Sequence, residues 1–214
     1  AFHDYMECRI RGALDRRKEA PQPKPFITLS RQAGARGTTI GRELVSYLSA
    51  ASAASEGCPW ILLDKELAAR VIAEHGLPER LERYLGETKI SELRDLLDEA
   101  LGVHPSSLTL VRQTSETILR LAQAGQVVLV GRGANHVTRR LPGGFHVRLI
   151  GSPAGRLRHL QQYYGLDAAQ ASALMKREDE GRAAYVKRNF NADIDDPLSY
   201  DLVLNVDRLD TSLV

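Results

Sequence analysis

Only two cysteines, Cys8 and Cys58, occur in the 214 residues, and neither has a neighbour at metal-ligand or redox spacing. Both are therefore expected as free thiols, which fits a reducing, cytoplasmic setting and excludes a disulfide scaffold. No apolar run approaches the roughly 20 residues needed to span a bilayer, so no membrane-spanning segment is expected. The six histidines show no pair spaced to share a metal, and no serine sits in a nucleophile elbow. Metalloenzyme and serine-hydrolase readings lose support on those grounds. An excess of one charge is missing too: 29 Lys and Arg against 27 Asp and Glu leave a net of +2. Global charge thus implies no nucleic acid as partner. The local cluster of Arg139, Arg140, Arg148, Arg156 and Arg158 lacks interleaved aromatics and any docking motif, so it implies none either.

An apolar content of 43%, a charged content of 26% and a mean hydropathy of -0.27 describe a globular domain. The length suits one α/β domain with a sizeable core and a small inserted subdomain. Residues 2–19 carry Phe2, Tyr5, Met6, Ile10 and Leu14 at helical spacing and predict an amphipathic helix packed on the body. Pro21, Pro23 and Pro25 end it in a stiff linker. No charged region followed by an apolar one marks a signal peptide, and the start at Ala1 reads as a cut in a longer chain. At the other end, Asp210-Thr211-Ser212 reads as the N-cap of a helix expected to continue past Val214.

Between those ends, residues 26–214 read as one domain. Five apolar segments predict strands, at 26–29, 60–63, 126–130, 146–150 and 200–205. Helical stretches separate them: one from about Thr39 to Ala51, one rich in Arg156, Arg158, Gln161 and Tyr163, and one that Asp167 begins. Residues 50–57 read as a loop. Residues 65–124 read as an all-helical insertion and about 176–196 as a short lid. The expected architecture is a five-stranded parallel sheet with helices on both faces, a three-layer α/β fold.

The stretch from Phe26 to Leu44 is a strand, a glycine-rich turn with two threonines, and the start of a helix. Such a turn aims several backbone N–H groups into one concavity, with the positive end of the helix dipole behind them, and so traps phosphate. The usual Gly-Lys pair is absent. In one register Arg36 replaces the lysine and Thr38 meets the metal. In the other, which needs no gap between strand and helix and is preferred, Gly34 is a loop glycine, Gly37 takes the lysine position and Thr39 is the metal-side hydroxyl. Arg31 and Arg36 then stand beside the loop as substitute cations, holding phosphate through a planar fork rather than as a point charge.

Ligands of a doubly wound sheet bind beyond the carboxyl ends of its strands. There the chain places the glycine loop, Asp64, and Arg132 followed by Asn135 and His136. An anion cradle, a carboxylate and a guanidinium on one edge suit phosphoryl transfer, which depends on positioning and charge neutralisation. Asp64 reads equally well as the N-cap of a helix starting at Lys65, whereas for Arg132, between two glycines, a phosphate contact is preferred over a surface salt bridge. The run from Lys176 to Arg188 carries Arg177, Asp179, Arg182 and Arg188, read either as a lid closing over a triphosphate, with Asp179 orienting a guanidinium, or as a solvated charged helix.

Taken in order, Ile27-Thr28-Leu29-Ser30-Arg31-Gln32 with Gly34, Leu63-Asp64-Lys65-Glu66-Leu67, Val130-Gly131-Arg132-Gly133-Ala134, Asp179 with Arg182-Ala183-Ala184-Tyr185, and Tyr200-Asp201-Leu202-Val203-Leu204-Asn205 resemble the cytidylate kinase-like branch of the P-loop nucleoside monophosphate kinases. The resemblance runs from about Phe26 to the C-terminus. It implies a P-loop fold and transfer of the γ-phosphoryl group of ATP, with Mg2+, to CMP or a similar small phosphoacceptor. Ser30, Arg31, Gly34, Ala35, Gly37, Thr38 and Thr39 would hold the donor, with Thr39 on the metal. Arg132 would hold the acceptor phosphate, aided by Asp64, and Arg36, Arg132, Arg177, Arg182, Arg188 and Asp179 would be the catalytic set. Two departures stand out: the loop lysine is absent, and Gly133 stands where cytidylate kinases carry aspartate. A nucleotide-binding regulatory module, using the N-terminal helix on a partner, is the competing function. A dinucleotide-binding unit is disfavoured because Gly34, Gly37 and Gly41 do not spell Gly-x-Gly-x-x-Gly. A homodimer is compatible with the chain.

Overall fold

The computed structural model describes residues 4, 5, 7, 8, 23–53, 58–64 and 108–209. These form a five-stranded, all-parallel sheet of β1 (Phe26–Arg31), β2 (Ile61–Leu63), β3 (Val127–Val130), β4 (Gly144–Ile150) and β5 (Leu202–Asn205). The strand order is β2-β3-β1-β4-β5. The helices are α1 (Gly37–Ala53), α2 (Leu108–Ala124), α3 (Ala134–Thr138), α4 (Pro153–Tyr164) and α5 (Ala168–Phe190), with 3-10 turns at Pro197–Ser199 and Val206–Arg208. Because the chain crosses over β1 to reach β4, strand order reverses at β1, and a crevice opens beyond its carboxyl end.

The apolar runs are continuous because the central strands are covered on both faces. Val128 and Val130 of β3 join Leu29, Leu62 and Leu149 in a core roofed by Ile40, Leu44, Val45 and Leu48 of α1. Their alternates Val127 and Leu129 join Phe26 and Ile61 in a second core under Ile118 and Ala122 of α2 and Ala134 of α3. That alternation of side chains across one strand makes the three layers.

The five expected strands all form, with end shifts of one or two residues. The helix expected from Thr39 to Ala51 runs from Gly37 to Ala53, so the residues from 50 onward are helical as far as Ala53 rather than loop. Asp167 caps α5 as expected: its carboxylate accepts the Gln170 N–H at 2.8 Å, and the Gln170 side chain accepts the Asp167 N–H at 3.2 Å. Of the 65–124 stretch, residues 108–124 form α2 and residues 65–107 lie outside the described residues. So do most of the N-terminal helix and the cap expected at Asp210.

One expectation is corrected. Cys8 and Cys58 are joined in a disulfide, with their Cα atoms 5.6 Å apart. The cause is tertiary. Tyr5 is fully buried and its hydroxyl donates to the Gly125 carbonyl at 2.7 Å, while the Gln126 amide donates to the Cys58 carbonyl. The approach to β2 and the N-terminal residues therefore meet at the amino end of β3. A separation of 50 residues carries no spacing signal for that meeting. The argument for a reducing compartment drawn from free thiols falls with it.

Leu149 is fully buried between layers, whereas Leu198 is 93% exposed. Leu149→Ala should lower the unfolding free energy by roughly 2–5 kcal/mol, and Leu198→Ala should change it by no more than about 0.5 kcal/mol in urea titrations. A second expectation concerns pH. His136, His146 and His159 are all held below the ordinary imidazole value, in each case chiefly by burial. Nδ1 of His146 lies 2.8 Å from the Thr28 hydroxyl on the neighbouring strand. With folded pKa values depressed, the unfolded chain binds protons that the folded chain does not. Stability is then full above about pH 6.5 and falls as pH drops through and below it. Urea midpoints should decline between about pH 7 and pH 5.5, and His146→Gln should flatten the decline; an identical slope in the variant would count against this account.

Candidate functional site

The loop between β1 and α1 is shaped by contacts from behind. Gly34 is left-handed, with φ +77, and a Cβ there would run into the Arg156 carbonyl of α4. The Arg36 carbonyl accepts the Ile40 N–H at 2.9 Å and so starts the helix, with Arg36 itself at φ 54. The N–H groups of Gly37, Thr38 and Thr39 belong to the first turn, which has no partners within a helix. These residues line a groove of about 110 Å³, with the rest of residues 31–39 on the same side and His159, Leu160, Tyr163 and Tyr164 of α4 on the other. The Tyr163 ring lies 5.6 Å from His159 and 4.8 Å from Tyr164, and both tyrosines are more than half exposed. Backbone donors and open aromatic faces thus border one groove.

A larger cleft, of about 280 Å³, opens beyond the carboxyl ends of β1 and β3. Ser30 and Arg31 line it from β1, Gly131 to Asn135 from the turn after β3, and Arg177, Glu178, Gly181, Arg182 and Tyr185 from α5. Four guanidinium side chains, from Arg31, Arg132, Arg177 and Arg182, thereby border one space. Burial, reinforced by the charges of Arg182 and Arg132, pushes the Arg31 pKa down to about 10, against the pull of Asp64 and Glu178. Arg31 remains a cation at neutral pH, but it is held among like charges. Such a cluster is relieved by an anion.

α5 is fastened to the loop by Asp179. One carboxylate oxygen accepts the Ala33 N–H at 2.7 Å, and the other pairs with Arg156 at 2.5 Å. Arg156 also donates to the Ala33 carbonyl at 3.2 Å. Arg182 pairs with Glu178 at 2.9 Å, lies 3.7 Å from Asp179 and reaches the Arg31 carbonyl at 3.5 Å. Behind the cleft, Arg148 of β4 donates to the Ser30 hydroxyl at 2.8 Å and to Asp195, with the Tyr200 ring 5.7 Å from its guanidinium.

The residues expected from sequence divide accordingly. Gly34, Ala35, Arg36, Gly37, Thr38 and Thr39 share the groove; Ser30, Arg132 and Arg177 share the cleft; Arg31 and Arg182 border both. Asp64, at the end of β2, is buried and within electrostatic reach of Arg31. Its competing reading as a helix cap depends on residues from 65 on, which lie outside the described ones. Asp179 pairs most closely with Arg156 and lies 3.7 Å from Arg182, the lid arginine it is expected to orient. Arg188 is exposed and borders neither cavity. The charged run is thus split: Lys176 and Glu180 pair in solvent, while Asp179 and Arg182 face the loop. Sequence reasoning missed the buried anchors Arg148 and Arg156, both under 10% exposed. For Arg148 a signal existed, a charge inside the apolar run of β4.

Among the described residues no cluster of three His, Cys, Asp or Glu could hold a metal by itself. Magnesium commonly keeps several waters and binds through substrate phosphates plus one or two protein oxygens. Thr39, on the groove at the helix start, fits that limited role.

The family model of the cytidylate kinase-like family matches residues 26–208. An uncharacterized protein from Eubacterium ventriosum ATCC 27560 has a similar fold, with a TM-score of 0.62, 17% identity, and coverage of 89% of this chain and 92% of that one. Shikimate kinase from Bacteroides thetaiotaomicron aligns over 86% of each chain, at a TM-score of 0.43 and 17% identity. No curated protein matches the chain.

The Asp179 fastening yields an expectation. Asp179→Ala removes the loop's N–H acceptor and leaves Arg156 buried without its carboxylate, at a cost of roughly 1–3 kcal/mol after allowing for the partial exposure of Asp179. Adding Arg156→Met should recover part of that loss, because the stranded charge goes with it. Additive losses in chemical denaturation would contradict the coupling.

Proposed function

The chain belongs to the cytidylate kinase-like family, and on that footing we propose that it transfers the γ-phosphoryl group of ATP to a nucleoside monophosphate or a similar small phosphorylated acceptor. The observation that carries this reading is the meeting of four arginines in one cleft next to a backbone phosphate cradle. Two phosphate-bearing substrates must approach each other against their own charge, and these groups neutralise it on both sides of the transfer.

In this reading the first turn of α1 and the loop take the donor phosphates, and Tyr163 or Tyr164, which line the same groove, would stack on the nucleobase. Thr39 would hold Mg2+, which supplies charge neutralisation between donor phosphates when bound. Arg132, left-handed at φ 53 in the turn after β3, presents its fork to the acceptor phosphate. Arg182, steadied by Glu178, and Arg177 face the space between and stabilise charge on the group in flight. α5 excludes water from that space, so transfer to water is disfavoured. A donor of this kind makes the cytoplasm the proposed place of action.

CMP gains no support as the acceptor. Gly133 is left-handed at φ +64, and a Cβ there would run into the Phe190 ring, which itself stacks on His136 at 5.3 Å. The aspartate that cytidylate kinases carry at this position has no room, so the acceptor is recognised by other means.

With ATP and Mg2+, purified protein should convert at least one common monophosphate to its diphosphate. Failure with the whole panel, while ATP still raises the melting temperature, would leave a nucleotide-binding module in place of a kinase. Arg132→Ala should raise KM for the acceptor by roughly 10- to 100-fold, the worth of a hydrogen bond to a charged group, while changing KM for ATP far less. Equal losses for both substrates would remove the acceptor role.

A further inference from the structure

We propose that Arg31, entering from the end of β1, is the phosphate-binding cation that replaces the missing loop lysine, and that Gly37 and Gly131 are glycine to admit it. The proposal rests on the kinase reading for its substrate and on geometry for its residue.

Three observations converge on Arg31. An ideal Cβ built on Gly37 would lie 2.9 Å from Cγ of Arg31 and 3.3 Å from Cδ, so the arginine stem fills the space into which a side chain at 37 would project. A Cβ on Gly131, at the end of β3 and left-handed at φ +83, would run into Nη1 of the same arginine. The side chain therefore crosses from the first turn of α1 to the turn after β3, the gap between groove and cleft, and it borders both. Finally, burial and the neighbouring charges of Arg182 and Arg132 disfavour its charged form in the free protein, a penalty that an anion would remove.

Arg36, the other candidate, does not fill this role. It borders the groove but not the cleft, and its charge acts on His159 and Asp207 on the α4 side. A lysine at 37 and the arginine at 31 compete for one volume. The chain thus keeps a cation at the loop by moving its origin from helix to strand.

The test separates donor binding from turnover. Wild type, Arg31→Met, Arg36→Met and the exchange Arg31→Ala with Gly37→Lys are compared by calorimetric titration with ATP and Mg2+, and by diphosphate formation. Met keeps the aliphatic stem over Gly37, so the free protein should melt at or above the wild-type temperature. Its ATP Kd should rise roughly 10- to 100-fold, as loss of a charge-assisted contact predicts, and kcat should fall by roughly 100-fold or more, as loss of a charge-stabilising donor predicts. Arg36→Met should weaken ATP binding and turnover less than Arg31→Met does, and an equal or larger loss at Arg36 overturns the assignment. The exchange should regain at least tenfold of the lost ATP affinity, whereas Gly37→Lys alone, with Arg31 in place, should bind worse than wild type. Unchanged ATP affinity in Arg31→Met overturns the assignment and leaves the kinase reading standing. ATP binding without product in wild type overturns the kinase reading, while the affinities still judge Arg31. Absence of ATP binding by wild type overturns both.

Discussion

The site depends on how closely the loop after β1 is wedged against the two helices that follow β4. At Gly34 there is no room for a single carbon in front of the Arg156 carbonyl. One residue earlier, Ala33 is held on both sides of its peptide, by Asp179 at the N–H and by Arg156 at the carbonyl. Asp179 and Arg156 are paired to each other, so the loop, α4 and α5 form one fastening. A partly buried ion pair of this kind adds little net stability over an apolar pair of similar volume. What it fixes is position: with Asp179 docked on Ala33, Arg182 one turn further on is directed at the carbonyl of Arg31.

Much of this was legible in the chain. Five strands, the glycine loop, the start of α5 at Asp167 and the gathering of Arg132, Arg177 and Arg182 follow from local signals: apolar run length, cap chemistry, and the rule that loops after strands share an edge. The failures share a cause. Arg148 and Arg156 look like surface charge because their partners, Asp195 and Asp179, lie 47 and 23 residues away. Cys8 and Cys58 look like free thiols because no spacing rule links residues 50 apart. Arg188 belongs to the same charged run on α5, but about three turns separate it from Arg177 and carry it past the end of the cleft. Local pattern specifies elements; long-range pairing decides which charges are inside.

Charge distribution explains how a nearly neutral chain carries a cationic cleft. A net of +2 is compatible with four arginines in one cleft because the balancing carboxylates are elsewhere or already committed. Asp179 is on the loop and Arg156, Asp195 on Arg148, and Asp207 accepts the Ser152 N–H at the start of α4. Asp64 and Glu178 soften the repulsion around Arg31 without cancelling it. Preorganised charge of this sort is costly in the free protein and is repaid only where negative charge gathers, which is the condition for stabilising a transfer rather than a resting complex.

Moving the loop's cation from helix to strand has a mechanical consequence. A lysine on the first turn of α1 would be carried by the helix. Arg31 is bonded within the sheet, paired with Leu149 of β4 at the end of a strand that also pairs with β3. Its backbone carbonyl, moreover, receives Arg182 from α5. The strand thereby fixes one guanidinium and gives Arg182 a rest point beside it. Arginine suits this arrangement better than lysine, since its planar fork spans two phosphate oxygens and can face a groove and a cleft together. Gly37 and Gly131 are then not lost functional positions but the clearance such a side chain requires, and the departure from the lysine pattern becomes a change in where the charge is anchored.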